Sequence, residues 1–69
     1  MEQADAYNIS RKYIAGDDVE TCFFVWDCPY CSNANTEDIC ATGKNSMKHF
    51  ATECECERCG LKVDVFVDD

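Results

Sequence analysis

The stretches CPYC, residues 28–31, and CERCG, residues 56–60, decide the fold of this chain. Each places two cysteines three positions apart, the spacing of a metal-binding knuckle, a tight turn that points two sulfurs at one ion. Pro29 fixes φ in the first turn, and Gly60 supplies the positive φ with which the chain leaves the second. Two facing knuckles supply the four thiolates of a closed tetrahedral site. We therefore predict one structural Zn²⁺ ion, held by Cys28, Cys31, Cys56 and Cys59.

The chain is small, with 69 residues, and an apolar core of that size contributes little net stability. A closed thiolate site can supply on the order of 10 kcal/mol of folding free energy. Seven cysteines in such a chain are also typical of a secreted disulfide scaffold. Three features argue against that interpretation: the number of cysteines is odd, their spacing is that of metal knuckles, and the opening MEQADAYNIS lacks a basic region followed by an apolar run. We expect a reducing, cytoplasmic setting.

The net charge of the chain limits the kinds of partner that it can bind. The formal net charge is −8, from fourteen acidic and six basic residues. Binding to duplex nucleic acid depends mainly on lysine and arginine, so this chain is expected to repel phosphate and to attract a basic protein surface. No apolar run approaches the ~20 residues of a membrane span.

Hydrophobic patterning predicts a small metal-stabilised β fold. TCFFVWDC, residues 21–28, is rich in aromatic and β-branched residues, and LKVDVFVDD, residues 61–69, alternates with its valines on one face. ANTEDICAT, residues 34–42, and SMKHFATECEC, residues 46–56, are the other candidate strands. The predicted order is strand, knuckle, strand, turn, strand, knuckle, strand, which gives three to four antiparallel strands.

The first twenty residues differ from the rest. They contain no cysteine and end in the turn-forming AGDDVE, residues 15–20. YNISRKYIA, residues 7–15, allows either a short strand or a helical turn. We predict a partly ordered N-terminal extension over 1–20 and a metal-bound β domain over 21–69.

Three cysteines remain outside the knuckles. Counting back two residues at a time from Cys28 and Cys56 places Cys22 and Cys54 on the ligand side of their strands, in the core with Phe24, Trp26 and Phe50. Cys54 could replace Cys56 as a ligand, but this would lose the tight turn. Cys40 cannot be placed. A second metal site would need these three thiols and His49, which lies on the opposite face from Cys54.

With FFVWDCPYC and CERCGLKVDVFV at its two ends, the segment from about residue 21 to 67 resembles a zinc ribbon. The gap of 24 residues between the knuckles is similar to that of ribbons in transcript-cleavage factors and small RNA polymerase subunits. Those cleavage factors carry an acidic pair at a hairpin tip. The corresponding stretch here, ATGKNSMK, residues 41–48, is basic, so that role is not carried over. Phage late-transcription activators are similar in length and in their CPxC opening, but they are basic.

The resemblance and the charge together predict a non-enzymatic acidic adaptor or regulator of the transcription or other nucleic-acid machinery, with a phage-type or viral inhibitor as a special case. Its predicted contact residues are Glu53, Glu55, Glu57, Lys44 and Lys48. One alternative is direct nucleic-acid binding through the hairpin tip, with Asn45 and His49 beside the lysines and Trp26 and Phe50 stacking on bases. The other is a rubredoxin-like iron electron carrier, although the glycine–aromatic pair of rubredoxins is replaced by Ser32-Asn33. An enzyme is not expected, because a closed metal site leaves no position for a catalytic water.

Overall fold

The computed structural model describes residues 2–44 and 47–68. Two three-stranded sheets form the fold: sheet A has the order β1-β6-β5 and sheet B has the order β2-β3-β4. The strands are β1 (Gln3–Asp5), β2 (Tyr7–Ile14), β3 (Val19–Asp27), β4 (Ala34–Thr42), β5 (His49–Glu55) and β6 (Lys62–Asp68). The predicted small β fold is thereby confirmed. Within the described ranges there is no helix with the length and apolarity needed to cross a membrane.

Two antiparallel hairpins contain the predicted strands, and each knuckle is the turn of one hairpin. Strand β3 pairs with β4 from Val19↔Thr42 to Asp27↔Ala34. Strand β5 pairs with β6 from His49↔Asp68 to Glu55↔Lys62. The knuckles close the two hairpins at the same end of the molecule. The hairpins belong to separate sheets rather than to one continuous ribbon, and the core fills the space between them.

The core is built from alternate residues of the two central strands. Strand β3 contributes Cys22, Phe24 and Trp26, and β6 contributes Val63, Val65 and Val67, none of them more than 1% exposed. The Phe24 ring meets Phe50 of β5 edge-on, with ring centroids 6.3 Å apart. Cys54 lies in the same cluster, so the predicted core positions of Cys22 and Cys54 are confirmed.

The N-terminal segment is more ordered than the sequence predicts, because described residues within 1–20 form β1, β2 and the start of β3. Strand β1 runs parallel to β6, and the Ala6 N–H extends this pairing by donating to the Phe66 carbonyl at 2.9 Å. The chain then crosses to sheet B, where β2 pairs antiparallel with β3. The expected three to four antiparallel strands are therefore six, with one parallel pair, and the segment predicted to be an extension ties the two sheets together.

Arg11 of β2 holds the connection between the two hairpins. Its Nε and Nη2 donate to the carbonyl of the buried Met47 at 2.9 and 2.6 Å, and Nη2 also reaches the Lys48 carbonyl at 3.0 Å. One guanidinium thus satisfies two backbone acceptors of the β4–β5 connection and draws Met47 into the core.

Candidate metal centre

The first knuckle is closed by two backbone hydrogen bonds. The Cys28 N–H donates to the Asn33 carbonyl at 3.0 Å, and the Ser32 N–H donates to the Cys28 carbonyl at 2.8 Å. Ser32 has a φ of 63°, in the left-handed region that residues with a side chain rarely adopt. This positive φ reverses the chain so that β4 can return along β3.

The second knuckle repeats this pattern residue for residue. The Cys56 N–H donates to the Leu61 carbonyl at 3.0 Å, and the Gly60 N–H donates to the Cys56 carbonyl at 2.9 Å. Gly60 has a φ of 74°, as its position after the cysteine pair predicts. The two turns are therefore conformational copies, and each presents its pair of sulfurs in the same way.

The four knuckle sulfurs converge. The Sγ atoms of Cys28 and Cys59 are 3.6 Å apart, and those of Cys31 and Cys56 are also 3.6 Å apart. All four sulfurs lie within 4.8 Å of one another. Metal–sulfur bonds of about 2.3 Å in a tetrahedron require sulfurs about 3.8 Å apart. The cluster therefore fits a tetrathiolate centre and could hold a metal ion.

Burial divides the four cysteines into an inner and an outer pair. Cys28 and Cys56, the first cysteine of each knuckle, are 2% and 1% exposed, whereas Cys31 is half-buried and Cys59 is exposed. The inner pair continues the inward-facing rows of β3 and β5, so the core reaches the metal position without interruption. The outer pair closes the centre at the surface.

Hydrogen bonds to sulfur favour the thiolate at Cys56. The backbone amide of Cys59 donates to its sulfur and contributes most, and the Arg58 amide, the Asn35 side chain and Cys31 add to the effect. Together they outweigh burial and lower the pKa of Cys56 to about 6. One ligand of the cluster is thereby prepared as an anion near neutral pH.

Cys59 shows the opposite balance. The Leu61 amide lowers the pKa of its thiol, but desolvation and hydrogen bonds to Cys28, Cys56 and Cys31 outweigh that amide and raise the pKa to about 12. Four sulfurs this close cannot all carry a negative charge without a cation, because like charges disfavour one another's ionised form. A dication held by Cys28, Cys31, Cys56 and Cys59 would supply that cation and displace the remaining protons.

Asn35 at the start of β4 joins the two knuckles, and the sequence patterns did not identify it. Its side chain is only 2% exposed, and its Nδ2 donates to the Cys56 sulfur at 3.6 Å and to the Asn33 carbonyl at 3.0 Å. Its Oδ1 accepts the Glu57 N–H at 3.1 Å. The available signal was its place on the inward parity of a strand, where a polar residue requires partners.

The other three cysteines lie apart from the centre. In the described ranges, the four knuckle cysteines are the one group of three or more ligand side chains close enough to share an ion. Burial and the nearby Glu37 carboxylate raise the pKa of Cys54 to about 11, so its thiol stays protonated at neutral pH. Cys40 is exposed on the outer side of β4, where its sulfur lies 3.4 Å from the Thr21 hydroxyl.

Two of the three glutamates predicted to contact a partner lie on the outward side of sheet A. Glu53 and Glu55 point outward from β5, and Glu57 is exposed in the second knuckle rather than on the strand. Register places Glu53 beside Asp64 of β6, and Lys62 contacts Glu53 at 3.5 Å. We call the outward-facing side chains of sheet A the acidic face. Its charged members are Asp5, Glu53, Glu55, Asp64, Asp68 and Lys62, with His49 beside Asp68.

The predicted hairpin tip offers fewer exposed aromatic side chains than direct binding of nucleic acid would require. Lys44 and Lys48 are exposed in the β4–β5 connection, and Asn45 lies outside the described residues. Trp26 is fully buried and Phe50 packs against Phe24 in the core. The fully buried Trp26 ring is therefore not available to stack on bases, whereas Phe50 is partly exposed.

The comparisons with known proteins find no family model, no curated protein and no solved structure that matches this chain. The likeness to a zinc ribbon rests on two features of the chain itself, which are the four-cysteine cluster and the small all-β fold around it.

Proposed function

We propose that this protein is a non-enzymatic adaptor or regulator, stabilised by one structural Zn²⁺ ion and acting on a partner with a basic surface. The observation that supports this proposal best is the acidic face. It brings five carboxylates and one lysine onto one side of a three-stranded sheet. A field of that sign attracts basic proteins and repels phosphate.

Zinc suits the centre for chemical reasons. Four thiolates form a soft, tetrahedral donor set, which zinc accepts without a geometric preference of its own. With all four positions taken by Cys28, Cys31, Cys56 and Cys59, the ion serves the fold and has no open site for a substrate. Thiolate ligands must stay reduced, so the protein acts in a reducing compartment such as the cytoplasm.

The proposed partner belongs to the transcription machinery or to other machinery that handles nucleic acids. Proteins that bind nucleic acid present lysine and arginine to phosphate, and a rigid carboxylate surface complements the same residues. Glu53 and Glu55 lie on a regular strand beside Asp64, so their spacing is fixed by the sheet. A regulator of viral or phage type that covers a phosphate-binding channel is the special case of this proposal.

Affinity capture with a matched pair of charge variants tests the proposal. The variant Glu53→Lys/Glu55→Lys reverses two charges on the acidic face, and Asp17→Lys/Asp38→Lys makes the same change in net charge at exposed positions outside sheet A, in the β2–β3 turn and on β4. We expect the wild type and the second variant to retain one dominant protein from a lysate, and the first variant to lose it. Equal capture by both variants, or recovery of nucleic acid alone, would contradict the proposal.

A further inference from the structure

The outer surface of sheet B has a composition unlike that of the acidic face. We call it the apolar face, and define it as the outward side chains of β3 at alternate positions from Val19 to Asp27, with their cross-strand neighbours on β2 and β4. Its central row reads Val19, Thr21, Phe23, Val25, Asp27, with the one charge at the end of the row. A strand with one face in water normally places polar side chains on that face. A mainly apolar row along the middle strand therefore requires an explanation.

Large apolar groups on this face are exposed to water. Phe23 is 41% exposed, Ile14 beside Val19 is 44% exposed, and Tyr7 beside Val25 is 40% exposed. The flanking strand β4 adds threonines and the Cys40 thiol rather than a row of charges. The charged side chains of the face are Lys12, Asp27 and Asp38, and the Tyr7 hydroxyl donates to Asp27 at 2.7 Å. The face is thus nearly neutral in a molecule whose net charge is −8.

We infer that the apolar face is a self-association surface through which two copies of this chain form a reversible, two-fold symmetric dimer. Two copies of an acidic protein repel each other least where their facing surfaces carry little charge. The apolar face meets that condition, whereas the acidic face would place ten carboxylates opposite one another. The inference does not depend on the proposed function.

Two of the three charges of the face, Lys12 and Asp38, are arranged to complement a second copy, while Asp27 lies at the end of the central strand, where it accepts the hydrogen bond from the Tyr7 hydroxyl. Lys12 lies on β2 and Asp38 on β4, on opposite sides of the central strand, and they are offset by one outward position because Lys12 pairs with Thr21 and Asp38 with Phe23. A two-fold axis parallel to β3 places β2 of one copy opposite β4 of the other. Each Lys12 then approaches Asp38 of the other copy, as an isologous interface requires, and Phe23 packs near its own symmetry mate.

The area of the apolar face sets the expected affinity of the dimer. A nine-residue central strand and two neighbours give a flat footprint of roughly 30 by 14 Å. That is about half of the ~800 Å² that each partner buries in a standard interface. We therefore expect a weak dimer with a dissociation constant in the range of about 10–100 μM.

Sedimentation velocity of the metal-loaded protein, from about 5 to 500 μM in ~0.15 M salt, tests the inference, since a Debye length of about 8 Å leaves contact pairs effective. We expect the weight-average mass to rise from monomer to dimer across this range. Phe23→Asp should remain monomeric throughout. Phe66→Asp changes a residue of similar exposure, 38%, on the acidic face and should dimerise like the wild type. A monomeric wild type at the highest concentration, or loss of the dimer in Phe66→Asp but not in Phe23→Asp, overturns the inference.

Charge exchange tests the orientation. Lys12→Glu and Asp38→Lys should each weaken dimerisation by about tenfold, and the double variant should restore it to within about threefold of the wild type, the pattern of a direct pair. Asp38→Lys is the informative single variant, because it lowers the net negative charge and would strengthen dimerisation if only overall repulsion mattered. A stronger dimer in Asp38→Lys, or no rescue in the double variant, contradicts the two-fold axis along β3. Metal content and circular dichroism of every variant establish that each remains folded.

Discussion

Ser32 and Gly60 occupy equivalent positions in the two knuckles. Each directly follows the second cysteine of its pair, each has a positive φ, of 63° and 74°, and each donates its N–H to the carbonyl of the first cysteine. Only the second position holds glycine, the residue that adopts this conformation without strain.

This asymmetry predicts opposite effects of two substitutions. Ser32→Gly should stabilise the folded protein by about 0.5–1 kcal/mol, because it removes the penalty of a left-handed conformation at a residue with a Cβ atom. Gly60→Ala should destabilise it by about 1–2 kcal/mol for the same reason. A methyl group at residue 60 meets no atom within 4 Å, so the cost is conformational rather than steric. Thermal unfolding of both variants measures the difference, and a destabilised Ser32→Gly would contradict the equivalence.

Asn35 should tune metal affinity. In Asn35→Asp the acceptor for the Glu57 N–H remains. The Nδ2 group that donates to the Cys56 sulfur is replaced by a carboxylate oxygen, whose negative charge lies next to the thiolate. We expect metal affinity to fall by about 10–100-fold, the usual effect of losing a group that orients a ligand. Competition with a chromophoric chelator measures the change. Asn33→Ala is the control, since the Asn33 side chain contacts Asn35 and the Ala34 carbonyl but no sulfur. Equal losses in both variants would show that Asn35 acts on the turn alone.

Removing the metal should unfold the protein. The core between the sheets is small, and the four thiolates at one end of it converge only when the two knuckles face each other. The free energy of metal binding therefore contributes directly to the free energy of folding. We expect a strong chelator to abolish the cooperative thermal transition and added Zn²⁺ to restore it. A chelated protein that keeps its transition would contradict the role of the centre. Metal analysis of the purified protein identifies the ion, since ferric tetrathiolate is red and the zinc form is colourless.

Thiol reactivity should divide the seven cysteines into three classes. In the metal-loaded protein, one thiol, the exposed Cys40, should react rapidly with a disulfide reagent. The knuckle cysteines should react after chelation, and the buried Cys22 and Cys54 should be slow while the fold persists. Cys40→Ser is the control and should lose the rapid phase without any change in metal content. Rapid reaction in that variant before chelation would contradict the assignment.

Cys54 predicts a loss of stability at alkaline pH. Its pKa in the folded protein is about 11, against an ordinary value of 9.0, so the folded state holds this proton more tightly than the unfolded state. The resulting stabilisation is complete below pH 9 and is lost as the pH rises towards about 11. Chemical unfolding of the metal-loaded protein at pH 8, 9 and 10 measures it. The free energy of unfolding should fall less steeply with pH in Cys54→Ala than in the wild type, and equally steeply in Cys40→Ala. The same pH dependence in all three proteins would contradict the prediction.

The clustering of the four knuckle cysteines and four of the strands could be predicted because both depend on local sequence patterns. Cysteine spacing fixes the knuckles, and alternation fixes strands such as Lys62–Asp68, whose valines are all buried. Strand β1 could not be predicted, since its three residues are stabilised by pairing with β6, almost a whole chain length away. The division into two sheets has the same cause, because the sequence between the knuckles does not state whether β4 pairs with β5.

Asn35 was missed for a related reason. Its place on the inward side of β4 requires hydrogen-bond partners but does not identify them, and its role arises only when the register pairs it with Trp26 and turns it towards the second knuckle. The apolar face was hidden in the same way. Val19, Phe23 and Val25 support the strand prediction equally well whether their face is covered or exposed, and only the assembled sheet shows that it is exposed.

The parallel pairing of β1 with β6 sets an order of events during synthesis. Strand β1 leaves the ribosome before its partner β6, and the second pair of clustered cysteines, Cys56 and Cys59, emerges between them, shortly before β6. Until then, a nascent chain carries one half of the four-sulfur cluster and a strand β1 without its sheet partner. The sulfur cluster can therefore assemble only once Cys59 is free, and sheet A can close only once residues 62–68 are free, so a metal ion held by the four sulfurs would bind late, just before the sheet closes.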